Sequence, residues 1–357
     1  MANLTEEQVM LRDMAQSWVR NESPVGAWRK VRDASEAAGY DANVYAQMAE
    51  FGWTGIIIPE AHGGSDFGWM SLGLVVEELG RTLTASPLCA SAIAASAIIL
   101  GGSDAQKAKY LPAIASGELV AALAVDEGPR HDPHRIASSV IDGKLSGTKA
   151  FVAEGDSAGL FVVAAIDGLY LVEGDASGVA RSRRQLVDFR SHAEVNFDGV
   201  VADRLNDGSD GLLGQVLDRA RIITACEMMG MTAQAFDTTL DYLKQRVQFG
   251  QILATFQALQ HRMANLFGEI ELTRSAIESA LVALDAGGDV AQAAALSKQR
   301  ANDTLHLVSR EAVQLHGGIG MTDEYDVGFY LKRARPLEQL WGNSAFLRDH
   351  FARLSGY

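Results

Sequence analysis

Residues 246–264 read RVQFGQILATFQALQHRMA, and the parsing of this stretch decides how the C-terminal part of the chain is built. Taken alone, QFGQ (248–251) is a helix end closed by a glycine C-cap. Helical periodicity lies on both sides of it. Downstream, Ile277, Leu281 and Leu284 mark one apolar stripe, and Leu305, Val308 and Ala312 mark another. Long amphipathic helices with short connections from Gly211 to the end predict a four-helix bundle.

Towards the N-terminus the period changes. LVAALAV (119–125), KLSGTKAFVA (144–153), LFVVAAI (160–166) and AEVNFDGVV (193–201) are short runs rich in Val and Phe. Turns such as IDGK (141–144) and FDGV (197–200) punctuate them. Before residue 118 the pattern is helical again. LTEEQVMLRDMAQSWV (4–19) has Thr5 as N-cap and Val9, Met10 and Met14 at helical spacing. SLGLVVEELGRTL (71–83) and SDAQKAKYLPAIASG (103–117) follow, each ended by Gly or Pro punctuation. The expected architecture is α+β. An N-terminal helical domain spans 1–117, an antiparallel β-domain 118–210 and a C-terminal helical bundle 211–357.

The chain has 357 residues, enough for two or three domains with sizeable cores, and a net charge of −14. Nucleic acid and anionic membranes need a cationic surface, so this charge argues against both as general partners. An anionic small ligand needs only a few local cations. Two cysteines, Cys89 and Cys226, are too few for a disulfide framework. The N-terminus has no apolar signal-peptide core, and CASAIAASAIIL (89–100) is shorter than the roughly 20 residues that span a bilayer. It reads as a buried core helix, and the expected location is cytoplasmic.

Four motifs stand in order along the chain. They are FGWTGIIIPEAHGGSDFGWMSLGLVVEELGR (51–81), SDAQKAKYLPAIASGE (103–118), RVQFGQILATFQALQHRMA (246–264) and QLHGGIGMTDEY (314–325). A single one carries little weight. Together they give a resemblance to the acyl-CoA dehydrogenase family over essentially the whole chain. The resemblance implies oxidation of an acyl-CoA thioester to its 2-enoyl form. A carboxylate removes the α-proton while a hydride passes from the β-carbon to FAD. That chemistry needs a desolvated base and donors for the developing enolate.

In this family the FAD is shared at a subunit interface. The resemblance places Arg246, Phe249 and Gln257 against its distal part, with Gln314, Gly317 and Gly318 in a turn that closes on it. An Arg fork suits a pyrophosphate, and glycine lets backbone approach a cofactor. Without the family pattern, QFGQ is a capped helix end and HGGIG a flexible loop.

The catalytic parts depart from the pattern. The family's Tyr-Glu-Gly-Thr run, whose Glu is the base, matches Leu340-Trp341-Gly342-Asn343. Trp341 occupies the base position, and an indole N–H only donates. The alternative base site, a Glu-Arg pair on an earlier helix, matches Ala220-Arg221. The family's flavin-contacting Trp-x-Thr matches Phe151 and Ala153. Its Thr-Glu-Pro-Gly-x-Gly-Ser segment matches DEGPRHDPH (126–134), which keeps Glu127.

The expectation is a non-catalytic subunit of a heteromeric (α2β2) enzyme, resembling the base-deficient sister in dehydrogenases of steroid side chains. Its partners would be a catalytic sister subunit, an acyl-CoA and an acceptor such as an electron-transferring flavoprotein. One alternative is a self-sufficient homotetramer with a displaced base, Glu338 or Glu227. Another is a scaffold of the same fold without a redox role. His62, His131 and His134 lack a compact metal-ligand spacing and read as solvated. The basic run RSRR (181–184) reads as a solvated turn, or as a contact for the CoA phosphate.

Overall fold

The helical and strand runs marked by periodicity recur, among further elements, in the computed structural model, which describes residues 3–35, 38–205 and 211–357. Six helices come first: α1 (Glu6–Asn21), α2 (Val25–Ala34), α3 (Ala42–Glu50), α4 (Gly68–Arg81), α5 (Leu88–Gly101) and α6 (Asp104–Ala115). Strands follow: β1 (Ala121–Ala124), β2 (Ser139–Ile141), β3 (Lys144–Ala153), β4 (Leu160–Ala165), β5 (Gly168–Glu173), β6 (Val179–Arg183), β7 (His192–Val201) and β8 (Asp203–Arg204). The C-terminal part contains α7 (Leu212–Gln245), a hairpin of β9 (Val247–Gln248) and β10 (Gln251–Ile252), then α8 (Gln257–Asp285), α9 (Ala291–His316), α10 (Val327–Gln339) and α11 (Ser344–Leu354). The expected end of the β-domain at residue 210 lies outside the described residues.

By contacts the chain divides into two compact units that cut across the sequence order. One comprises Gly26–Leu72 and Ala85–Ala220, the other the segment up to Val25, Gly73–Thr84 and Arg221–Tyr357.

The first unit holds the strands in two four-stranded sheets, β1-β4-β5-β8 and β2-β3-β7-β6. Phe161, Val163 and Val172 from one sheet and Leu145, Val195 and Phe197 from the other share a core. Pairing is antiparallel except that β1 runs parallel to β4, with Ala121 opposite Leu160. α5 packs on β1, and the Ser91 hydroxyl accepts the Ala121 N–H. Because α5 is covered on several sides, it is apolar all round and is the expected core helix.

The two Asp-Gly signals resolve differently. Asp142 and Gly143, at φ 50° and 72°, make the two-residue turn between β2 and β3. FDGV, expected as a turn, lies inside β7. There Asp198 and Gly199 face the single residue Ser146, a bulge with Gly199 at φ 61°. A strand partner exists on both sides of this dipeptide, so pairing overrides its turn propensity.

The second unit is built on α7, α8 and α9, with α10 and α11 packed together on α9 as the fourth layer. The expected stripes are buried. Ile277, Leu281 and Leu284 on α8 and Leu305, Val308 and Ala312 on α9 are each at most 5% exposed. α4 approaches α7 closely because glycines stand at the crossing. A Cβ at Gly80 would overlap the Glu227 carbonyl, and one at Gly230 the Glu77 carbonyl. Thr5 caps α1 through a capping box with Gln8. The stripe expected on α1 is not its buried face. Met10 is 72% exposed, and Ala15, Trp18 and Val19 are buried instead. Helical spacing fits either set, and the bulkier indole takes the core.

Candidate functional site

α7 ends at Gln245, and the QFGQ stretch is not a C-cap. It forms a hairpin, with Gln248 paired to Gln251 and Val247 to Ile252. Phe249 and Gly250, at φ 55° and 81°, make a two-residue turn of the primed kind that matches strand twist. The turn pushes the Phe249 ring outward, 88% exposed, with an edge contact to Phe256 at 6.2 Å. Arg246 is exposed, and its side chain has no hydrogen-bond or ion-pair partner among the described residues. Gln257, the first residue of α8, is exposed beside it in sequence.

The end of α9 comes to the same place. The Tyr242 hydroxyl donates to the His316 carbonyl at 3.3 Å, and the two rings stack at 4.3 Å. Arg246 is one helical turn beyond Tyr242, and Gly317 directly follows His316. The Gly317 N–H donates to the Gln314 carbonyl, and Gly317 itself sits at φ 67°. HGGIG is therefore an ordered 3-10 turn, Gly317–Met321, rather than a loose loop. Gln314, Gly317 and Gly318 are exposed, and a Cβ at either glycine would meet nothing within 4 Å. Gly317 is explained by its backbone angle. No internal neighbour explains Gly318, whose bare backbone faces open space.

The second region is the turn between α10 and α11. Trp341 is 4% exposed and in the left-handed region at φ 60°, unusual for an aromatic residue. Three buried polar side chains hold the surrounding carbonyls. Arg221 Nε donates to Trp341 O at 3.1 Å, and Asn302 Nδ2 donates to Gly342 O at 3.3 Å. Lys298 Nζ donates to Leu337 O at 2.8 Å and to Asn302 Oδ1. Asn343 caps α11 by accepting the Phe346 N–H. Ala220, at the alternative base position on α7, is fully buried.

Lys298 and Asn302 were missed by sequence reasoning. The signal was present: Lys298, Ala301, Asn302 and Leu305 lie at helical spacing, so a lysine and an asparagine occupy a core stripe. Burial pushes the Lys298 amine down to about 7, with Glu338 opposing the shift and Arg221 adding to it. The folded value lies below the usual 10.5, so between about 7 and 10.5 only the unfolded chain holds that proton. Stability should therefore rise with pH in this window, by at most about 1.4 kcal/mol per pH unit. Denaturant midpoints at successive alkaline pH values should show the rise in the native chain, and Lys298→Met should abolish it.

The two displaced-base candidates are engaged elsewhere. Glu338, 8% exposed, lies 3.2 Å from both His306 Nδ1 and Arg335 Nη1. The chain leaves the helix after Gln339, so Glu338 and Trp341 do not share a helix face. Glu227 takes both Nε and Nη2 of Arg333 at 2.9 Å.

In the β-unit, Phe151 sits at φ 53° in a bulge of β3. The DEGPRHDPH segment turns onto internal partners. Asp126 holds His131 Nδ1 at 2.9 Å. Glu127 accepts from the backbone N–H groups of Ala137 and Ser138, the Ser138 hydroxyl and buried Lys149. Among the described residues, no group of three His, Cys, Asp or Glu side chains is arranged to hold a metal, and no helix is long and apolar enough to cross a membrane.

Two family models match the chain in order. The acyl-CoA dehydrogenase N-terminal domain matches residues 5–118, and the acyl-CoA dehydrogenase C-terminal domain matches residues 206–355. Acyl-CoA dehydrogenase IpdE2 of Mycolicibacterium smegmatis is 29% identical over 341 residues, covering 95% of this chain and 96% of that protein. The solved Tcur3481–Tcur3483 steroid ACAD, in a variant form, superposes with a TM-score of 0.92 at 29% identity, covering 98% of each chain. Butyryl-CoA dehydrogenase from Megasphaera elsdenii shares the fold, with a TM-score of 0.88 at 23% identity and full coverage of both chains. Helices, a two-sheet middle and a helical C-terminal region follow one another here as in those structures, and the paired domain models span most of the sequence: the chain belongs to the acyl-CoA dehydrogenase family.

Proposed function

We propose that this chain is the non-catalytic subunit of a heteromeric, cytoplasmic acyl-CoA dehydrogenase, and that it completes the FAD site of a catalytic sister chain. FAD is the cofactor of the family, and when bound it accepts the hydride lost from the β-carbon. One observation carries the reading. The turn that should present a carboxylate presents the buried indole of Trp341, while the Arg246–Gly318 end of the same unit stays open.

The residues at that end fit a dinucleotide. Arg246 offers a forked cation without an internal partner, suited to a pyrophosphate. Phe249 offers an exposed ring face, Gln257 and Gln314 offer amides, and Gly317-Gly318 offers backbone with no side chain in the way. On the proton side, this chain has nothing to contribute at position 341 or 220. Glu338 and Glu227 are held in ion pairs, so no observation favours a self-sufficient enzyme with a displaced base. The solved relative named for two proteins, and called a steroid ACAD, supports a two-chain assembly and a bulky, sterol-derived acyl-CoA as substrate. An electron-transferring flavoprotein is the proposed acceptor.

The test is flavin content. Expressed alone, the chain should purify without stoichiometric flavin. Co-expressed with its catalytic sister, it should give an α2β2 particle with about one FAD per two chains. Full flavin loading and acyl-CoA turnover by the chain alone would overturn the proposal. No flavin in the co-expressed particle would favour a scaffold without a redox role.

A further inference from the structure

In a chain of net charge −14, an arginine that finds no carboxylate is the exception. From Arg221 to the end of the chain, within one compact unit, the arginines are tied almost throughout. Arg221 donates to the Trp341 carbonyl, and Arg274, Arg333, Arg335, Arg348 and Arg353 each meet a carboxylate. Pairs also link α8 and α9: Arg262 donates to Glu311 at 2.7 Å, and Arg300 donates to Glu269 at 2.6 Å. Two arginines stand apart. Arg246 and Arg310 are exposed, and among the described residues neither side chain has a hydrogen-bond or ion-pair partner.

Arg246 belongs to the set matched to the cofactor, and Arg310 does not. Its place on α9 explains why it stays unpaired. Side chains three and four residues away are neighbours on a helix surface, and here these are His306, Leu307, Val313 and Gln314, none of them a carboxylate. Glu311, next in sequence, is turned to Arg262 on α8. Asp303, two turns back, is held by Ser344 and Arg348 of α11. The same spacing puts Arg310 on one face of α9 with Gln314, whose exposed amide is part of the cofactor set. Gly317 lies on that face too, about 10 Å further along the axis at 1.5 Å per residue. An extended dinucleotide is longer than this separation. Lys244 also has no partner among the described residues, but it stands two residues before Arg246 and so faces another way.

A pyrophosphate carries two negative charges, and one guanidinium fork meets one of them. The second charge, held between protein surfaces, is costly if it stays unpaired. α9 adjoins α7 through the stacked rings of His316 and Tyr242, so a second arginine is present on the neighbouring helix.

We propose that Arg310 is a second phosphate-binding arginine of the FAD site, meeting the pyrophosphate charge that Arg246 leaves over. The inference rests on the cofactor reading of this end and adds a residue outside the set that the family pattern marks.

The experiment measures FAD affinity by equilibrium dialysis against the co-expressed apo-complex, for the native protein, Arg310→Gln, Arg310→Lys and Arg246→Ala. Arg310→Gln should weaken FAD by about tenfold, since it removes a charge-assisted contact, and the loss should shrink as salt is added. Arg310→Lys keeps the charge without the fork and should fall between the two, and it is the second variant should Arg310→Gln fail to fold. Particle mass and unfolding midpoint should stay native, because Arg310 has no internal partner among the described residues. Weaker FAD in Arg246→Ala with native affinity in both Arg310 variants overturns the inference and leaves the cofactor reading standing. Native affinity in all three variants overturns the cofactor reading and the inference with it. A particle that Arg310→Gln splits, while its intact fraction keeps native FAD affinity, assigns Arg310 to the sister chain and also overturns the inference.

Discussion

Arg246→Ala should release FAD from the proposed heteromeric enzyme although positions 341 and 220 of this chain carry no base. The expected loss is about ten- to hundredfold in FAD affinity, because hydrogen bonds to charged groups contribute roughly 1.5–3 kcal/mol. Arg246 has no side-chain partner among the described residues, so the folded subunit loses nothing internal. Unfolding midpoints should therefore move by no more than about 0.5 kcal/mol, as for ordinary surface positions. Arg246→Lys separates charge from geometry. It keeps the cation but not the fork, so its affinity should fall between the native and alanine proteins. Equilibrium dialysis of flavin against the apo-complex measures all three. Equal flavin retention by the native and alanine complexes would remove Arg246 from the cofactor site.

The largest stability effect is expected in the β-unit. Lys149 is fully buried and donates to Val125 O at 3.0 Å and to Glu127 Oε1 at 2.6 Å. Lys149→Met should destabilise the fold by about 3–5 kcal/mol, because removing one partner leaves a desolvated charge behind. Adding Glu127→Gln to that variant should recover part of the loss, as the leftover charge is then gone. The effect should also depend on pH with a definite sign. Burial tends to raise the Glu127 carboxyl, but bonds from Lys149, Ser138 and two backbone N–H groups outweigh it and hold the group down to about 2. A depressed carboxyl contributes stability above its unfolded value, near 4.5, and loses it as pH falls towards about 2. The gap between native and Lys149→Met proteins should thus be full at neutral pH and narrow across that acid window. Denaturant titrations at several pH values would show it, and a gap that widens in acid would contradict the pairing.

This clamp bears on the missing chemistry. The segment resembling the family's flavin-contacting run, residues 126–134, directs two of its three acids to internal partners, Asp126 to His131 and Glu127 to Lys149. Trp341 and Ala220 are likewise buried and offer no proton acceptor at the two positions matched to the family's base.

Some of this was legible in the chain itself. The alternation of helical and strand periods located α1, α4, α6 and the buried helix α5, and the strands β1, β3, β4 and β7, because periodicity reflects which face of a local element must avoid water. The stripes on α8 and α9 were visible for the same reason. Other features depended on partners far away in sequence. QFGQ looks like a helix cap until Val247 and Ile252 pair across it. FDGV looks like a turn until β3 runs beside it. Met10 and Trp18 are equally plausible core residues of α1 until the neighbouring helices select one face. Lys298 was hidden because a lysine in an apolar stripe is tolerated only when acceptors wait for it, and those acceptors come from Leu337 and Asn302.

The sequence by itself determined that positions 341 and 220 carry an indole and a methyl group. Neither can take a proton from carbon, whatever the fold, since that capacity is a covalent property of the side chain. It determined equally that Arg246, Phe249 and the Gly317-Gly318 pair are present. Only the tertiary structure decided that Trp341 is buried and held at φ 60° by Arg221, that Glu338 and Glu227 are tied into ion pairs, and that the residues proposed to contact the cofactor lie near one end of the helical unit. The reason is that burial, pairing and convergence are relations between distant residues, which exist only once the chain has folded back upon itself.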